Sequence, residues 1–258
     1  IYNCVKLLDK KGTWNVGGQM KAKGAGFFDK IVSVATSSRF GIGNAQFHYS
    51  DKSNWVDTVY MGAWKREVFI KIGGFDEELV RNQDDEFNFR LIQNGGKIWF
   101  DPSINSVYYP RNNLKKLFKQ YFQYGFYKVR VMQKRRSFVS WRHLVPGAFV
   151  FAILISILTS PISHLSFYLI FGSYLTANFI ATLIESVKSF NPSAPKFITS
   201  FTLLPIIYFT LHFSYGFGFL LGLIKFWNKW IDREVKDFHF DREQFVKNTK
   251  GLSDSENP

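Results

Sequence analysis

Hydrophobic and polar positions divide the 258 residues into two unlike stretches. Through about residue 110, short apolar runs alternate with Gly, Asp, Asn and Trp in the manner of a mixed α/β unit. Ile1, Val5, Leu7 and Leu8 mark the end of a short amphipathic helix. Lys11-Gly12 then turns the chain, and Thr13 to Val16 reads as a strand stopped by Gly17-Gly18. Residues 27–40 are predicted helical, with Phe27, Phe28, Ile31, Val32 and Val34 on the buried face, and Gly41 to Asn54 as a long loop. A strand is expected at Thr58 to Tyr60, and a helix from Lys65 to Ile72 ended by Gly73-Gly74. Asp84 to Asn94 reads as a helix with an acidic first turn, which the helix dipole favours, closed by Gly95-Gly96. Lys97 to Phe100 and Ser106 to Tyr109 are predicted strands on either side of an Asp101-Pro102 turn.

The second stretch is longer in period and greasier. From 113 to 132, Leu114, Leu117, Phe118, Tyr121, Phe122, Gly125, Val129 and Met132 recur at helical steps, while Lys115, Lys116, Lys119 and Arg130 fall elsewhere. An aromatic stripe beside a basic face suits a helix lying in a membrane interface; the alternative is an ordinary surface helix on its own domain. Three nearly uncharged runs follow: Leu144 to Ser160, Leu165 to Ile184 and Phe197 to Ile224. A helix needs about 20 such residues to span a hydrocarbon core of about 30 Å. The first two runs read as a helical hairpin, joined across Pro161 and His164. Three spans would leave the C-terminal side opposite the basic block, yet Lys225, Lys229, Arg233 and Lys236 follow the last run and prefer the inside. Either Phe197 to Ile224, with Pro205 and the Gly216, Gly218 and Gly222 series, is broken or re-entrant, or the charge rule is overridden.

Charge sharpens this picture. The formal net charge is +13, and Arg111 to His143 carries Arg111, Lys115, Lys116, Lys119, Lys128, Arg130, Lys134, Arg135, Arg136 and Arg142 with no Asp or Glu. Such a block suits nucleic acid, anionic lipid or phosphorylated substrates; its place just before an apolar run selects anionic lipid headgroups and argues against nucleic acid. One cysteine, Cys4, excludes an intramolecular disulfide framework and a cysteine-rich metal site. The chain opens at Ile1, and Ile1 to Leu8 already reads as the middle of a helix, so an upstream portion is expected.

Chemistry concentrates at Gly73-Gly74-Phe75-Asp76-Glu77 and Asn82-Gln83-Asp84-Asp85-Glu86-Phe87-Asn88-Phe89-Arg90-Leu91. Carboxylates at the opening of a helix can be oriented to take a proton from an attacking hydroxyl; the same acids can serve helix stability alone. The run resembles the acceptor-side signature of family 2 glycosyltransferases of GT-A fold. With Trp99 to Ile104, Tyr108-Tyr109-Pro110-Arg111 and Gln120 to Lys128, it looks like the succinoglycan-biosynthesis glucosyltransferase group, which extends lipid-linked exopolysaccharide repeats. The likeness is best over residues 1–143.

The resemblance implies an α/β architecture, the C-terminal part of a Rossmann-like GT-A domain over 1–110. A basic interface helix over 111–143, a transmembrane region over 144–230 and a polar tail over 231–258 follow. It implies inverting transfer of a hexose from a nucleotide-sugar to a polyprenyl-diphosphate-linked saccharide, at the cytoplasmic face of the inner membrane, with Asp84 as catalytic base. Asp85, Trp64, Arg111, Gln120, Tyr124 and Lys128 are the expected substrate-binding residues, Trp64 by stacking on a sugar or else as a core residue. A divalent cation, Mg or Mn, is expected on ligands upstream of Ile1, so no residue of this chain is assigned to metal. Gln120 lacks the Arg-Trp that completes the Gln-x-x-Arg-Trp motif of processive synthases, which argues against polymerisation. The competing readings are a processive synthase and a non-catalytic scaffold of an export complex.

Overall fold

The computed structural model describes residues 1–136, 141–162, 164–192 and 194–230. The expected polar tail over 231–258 lies outside the described residues. The first part is a small α/β unit. Helix α1 (Tyr2–Lys11) leads through Gly12, at φ 58°, into strand β1 (Asn15–Ala22). Helices α2 (Phe27–Thr36) and α3 (Arg39–Ile42) follow, then strands β2 (Asn54–Val56) and β3 (Tyr60–Trp64). Helices α4 (Arg66–Ile72) and α5 (Gln83–Gln93) and strand β4 (Ile98–Tyr108) complete it. The sheet order is β2-β4-β1-β3, with β1 parallel to β4 and both outer pairings antiparallel.

Two strand expectations are corrected. Gly17-Gly18 does not stop β1, which continues to Ala22. A Cβ at Gly17 would collide with Val59, and one at Gly18 with the Ile104 carbonyl, so these glycines admit close neighbours. Asp101-Pro102 does not divide two strands either. Gly17 pairs with Phe100 and Gln19 with Asn105, so the intervening residues of β4 bulge out of the ladder and Pro102 need not donate to it. The strand expected at Thr58 to Tyr60 starts at Tyr60 instead.

Val59, Val68, Phe87, Leu91, Ile98 and Phe100 form one core between sheet and helices. Beneath it, Asn15 Nδ2 donates to Asn88 Oδ1 at 2.7 Å and Asn88 Nδ2 to Thr58 Oγ1 at 3.0 Å, which registers α5 on the sheet. Helix α6 (Leu114–Arg135) is capped by Asn113, whose side chain accepts from the Lys116 N–H at 2.8 Å.

Helices α7 (Val145–Leu158), α8 (Leu165–Ser189) and α9 (Pro195–Lys225) cover the apolar stretch. Three segments, Trp141–Leu158, Leu165–Ser189 and Pro195–Lys225, are long and apolar enough to cross a membrane. The alternative of a broken last segment is corrected: α9 runs unbroken for 31 residues through Pro205. The Pro205 carbonyl accepts a hydrogen bond from Asn178 Nδ2 at 3.1 Å across from α8. A second core joins α2 (Ile31, Val32, Ala35) to α6 (Leu117) and α9 (Leu204, Ile207, Tyr208, Leu211). The α/β unit and the apolar helices are therefore continuous.

Candidate active site

The acidic opening of α5 is built by its neighbours. Asn82, before the helix, takes the left-handed conformation at φ 64° and gives its side-chain N–H to the Tyr124 carbonyl of α6 at 3.0 Å. That bond ties the start of α5 to the middle of α6.

The three acids of this turn then part company. Glu86 is fully buried and is clasped by Arg90, with Nε–Oε1 3.1 Å and Nη2–Oε2 2.9 Å, and by Arg135 Nη2 at 2.8 Å. Asp85 forms an ion pair with buried Lys128 of α6. Just upstream, Asp76 pairs with Lys134, and Glu78 with Arg130 at 2.7 Å and Lys134 at 2.6 Å. Asp84 takes part in none of the described ion pairs.

Asp84 opens into a cavity of about 640 Å³. One wall is polar and comes from the α/β unit and α6: Asn82, Asp84, Asp85, Tyr108, Gln120, Tyr124 and Lys128. The facing wall comes from the apolar helices, with Val145, Pro146 and Phe149 of α7, Tyr174 of α8, and Leu211, His212 and Tyr215 of α9. Between them lies the segment from Arg39 to His48. It is moored to the apolar helices by Tyr208 Oη, which donates to Ser38 Oγ at 3.0 Å, and by His212 Nε2 at 2.8 Å from the Phe40 carbonyl. A cavity with one hydrogen-bonding wall and one aromatic wall suits a ligand with a polar head and an apolar tail.

Electrostatics single out the same carboxylate. Loss of surrounding water raises the Asp84 pKa above the ordinary aspartate value, against the opposing pull of Lys128. Burial lowers Lys128 from the usual lysine range, helped by Arg142 and resisted by Asp84 and Asp57. Burial also raises the Tyr124 hydroxyl, opposed by its bond with Gln120. His48 is brought down to about 3 by burial and by Arg142, so it is neutral at physiological pH.

Five of the sequence-predicted residues thus meet in one cavity: Asp84, Asp85, Gln120, Tyr124 and Lys128. Gln120 gives Nε2 to Tyr124 Oη at 2.8 Å and to Tyr108 Oη at 3.1 Å. Arg111 is not on the cavity wall; it is exposed and reaches the site only through its Nε bond to Gln120 Oε1 at 3.2 Å. Trp64, expected either to stack on a sugar or to be a core residue, is not on the cavity wall. Its ring packs edge-on against Phe69, Phe75 and Phe87 at 5.6–6.1 Å, away from the cavity.

The sequence reading missed Arg39, His48 and His143, and placed Arg142 only in the basic block. Arg142 pairs with Asp57 at 3.0 Å and donates to the Asn44 carbonyl at 3.2 Å. His48 and His143 line the cavity, and Nδ1 of each lies buried without a hydrogen-bond partner among the described residues. No local pattern marks these positions; they converge only because α6 and α7 fold over the loop. Among the described residues, no group of three or more His, Cys, Asp or Glu is arranged to hold a metal ion.

No protein-family model matches the chain, and no solved structure matches it significantly. Two curated proteins do. The chain is 30% identical over 148 residues to the succinoglycan biosynthesis protein ExoA of Rhizobium meliloti (strain 1021), covering 56% of this chain and 45% of that protein. It is 31% identical over 212 residues to the dolichyl N-acetyl-alpha-D-glucosaminyl phosphate 3-beta-D-2,3-diacetamido-2,3-dideoxy-beta-D-glucuronosyltransferase of Methanococcus voltae, covering 81% of this chain and 60% of that protein. The chain thus spans about half the length of the curated relatives it matches, and its similarity to the second extends well past α6 into the apolar helices.

Proposed function

We propose that the chain is the acceptor-side and membrane part of an inverting glycosyltransferase that adds a sugar from a nucleotide-sugar to a lipid-linked saccharide. One observation carries this reading: the one first-turn acid of α5 left out of every described ion pair faces a cavity whose opposite wall is made by apolar helices. The archaeal relative's name describes transfer onto a sugar held on dolichyl phosphate. A carboxylate beside an apolar wall is what such an acceptor requires.

In the proposed step, Asp84 takes the proton of the acceptor hydroxyl as its oxygen attacks the anomeric carbon. The bond from that carbon to the nucleotide diphosphate breaks, and the configuration inverts. Gln120 and Tyr124 supply hydrogen bonds to the acceptor's hydroxyls. Lys128, paired with Asp85, lies on the same wall as the base. GT-A architecture, family 2 membership and a cytoplasmic active face at the inner membrane belong to the same proposal, and no step is routed through a metal.

The test is Asp84→Asn in the whole enzyme. Transfer should fall by about 10²- to 10⁴-fold, the usual contribution of a positioned general base, while nucleotide-sugar binding is retained. Near-normal turnover refutes the assignment.

A further inference from the structure

Helix α9 has the length and apolarity of a membrane crossing, and its packing argues against one. It runs beside α6 in the same direction. Gly125 faces the Tyr215 carbonyl, Gly218 the Phe122 carbonyl and Gly222 the Phe126 carbonyl, each so closely that a Cβ would collide. Gln133 Nε2 then donates to the Phe226 carbonyl at 2.7 Å. From Leu117 to Gln133 this pairing follows about 24 Å of α6, most of the thickness of a hydrocarbon core.

Helix α6 cannot enter that core. Lys128, Arg130, Lys134 and Arg135 bind it to acids of the α/β unit, and Lys115, Lys116 and Lys119 are exposed to solvent. Each charge carried to mid-bilayer costs several kcal/mol on any scale. Helix α9 is held on the α/β side as well: Leu204, Ile207, Tyr208 and Leu211, toward its middle, share the core with α2, and its end meets α6 at Gln133.

The outward faces of the two helices supply a partner surface. Phe118, Phe122 and Phe126 of α6 and Phe213 and Phe217 of α9 form one run of ring contacts, with centroids 5.9–6.3 Å apart. Exposed lysines flank it at one end and exposed Trp227 and Trp230 at the other. An aromatic plate with a basic rim fits the boundary between anionic headgroups and acyl chains.

We propose that α6 and α9 lie side by side in the interface of one leaflet, that only the α7–α8 hairpin crosses the bilayer, and that the end of α9 is on the same side as the α/β unit. Lys225 and Lys229 then follow the positive-inside preference without exception. This inference does not depend on the proposed function.

Single cysteines at exposed positions test it, in a Cys4→Ser background, with a membrane-impermeant maleimide applied to intact cells and to inverted vesicles. Lys52→Cys reports the α/β side, Ile162→Cys the α7–α8 turn, Pro192→Cys the start of α9, and Asn228→Cys its end; Lys225→Cys gives a second position at that end. The expected result is that Lys52, Pro192 and Asn228 are modified from one side and Ile162 from the other. Modification of Asn228 and Lys225 from the Ile162 side overturns the proposal by making α9 a third span. Modification of all positions from one side overturns it by removing the crossing hairpin.

Discussion

Asp84 differs from its neighbours in what it lacks. Glu86 and Asp85 have arginine and lysine partners, and Asp84 has open space and a pKa raised by loss of water. The sign of this shift gives two expectations. As a base, Asp84 must be ionised, so the acid limb of the transfer rate should sit above the ordinary aspartate range. For stability, a raised folded-state pKa means the native protein binds the proton more tightly than the unfolded chain, so the carboxylate's ionisation weakens the fold as pH rises. Asp84→Asn should therefore keep or raise Tm at neutral pH while activity is lost; a marked fall in Tm would give Asp84 a structural role. Asp85→Asn should behave oppositely, since it leaves Lys128 buried without its partner: a loss of about 3–5 kcal/mol is expected on denaturation.

The acidic first turn was legible in the sequence as a pattern. Which of its acids takes no part in a described ion pair was not, because Lys128 and Arg135 arrive from a helix some forty residues further on. Trp64 shows the same limit. An aromatic in a Gly-rich strand looks the same whether it faces a sugar or Phe87.

At the scale of elements, the docking of α6 onto the α/β unit decides the shape of the cavity. Hydrogen bonding to Arg130 first, and to Lys134, holds Glu78 down to about 2, against some burial. A depressed carboxylate pKa contributes stability that is present above the unfolded value and lost as pH falls toward the folded one. Between about pH 4.5 and pH 2 the α6 contact should loosen; hydrogen exchange along α6 would record it, and Glu78→Gln should remove much of that pH dependence. The α6–α9 seam is equally specific. Gly218→Leu should drive α9 off α6 and lower Tm; an unchanged Tm would contradict the close approach seen at Phe122.

Long helices were read correctly from their period, since α6, α7, α8 and α9 each keep one pattern for many residues. The strands were read less well. Gly17-Gly18 and Asp101-Pro102 look like breaks, and only cross-strand partners reveal that the first pair admits Val59 and Ile104 and that the second is a bulge.

At the scale of the molecule, composition showed an α/β part joined to an apolar part, and the apolar helices close the cavity that Asp84 faces. Leu211, His212 and Tyr215 face Asp84's cavity from a helix that hydropathy assigns to the bilayer. The sequence could not show this, because hydropathy reports the solvent a helix tolerates and not the surface it packs on. The account rests on that shared cavity receiving a lipid-linked acceptor. A polyprenyl-diphosphate saccharide carrying a photoreactive group on its first isoprene unit tests this most directly. Irradiation should label the peptides containing Val145 to Phe149 and Leu211 to Tyr215, and unmodified lipid-linked saccharide should suppress the label. Labelling confined to other surfaces, or unaffected by the competitor, would contradict it.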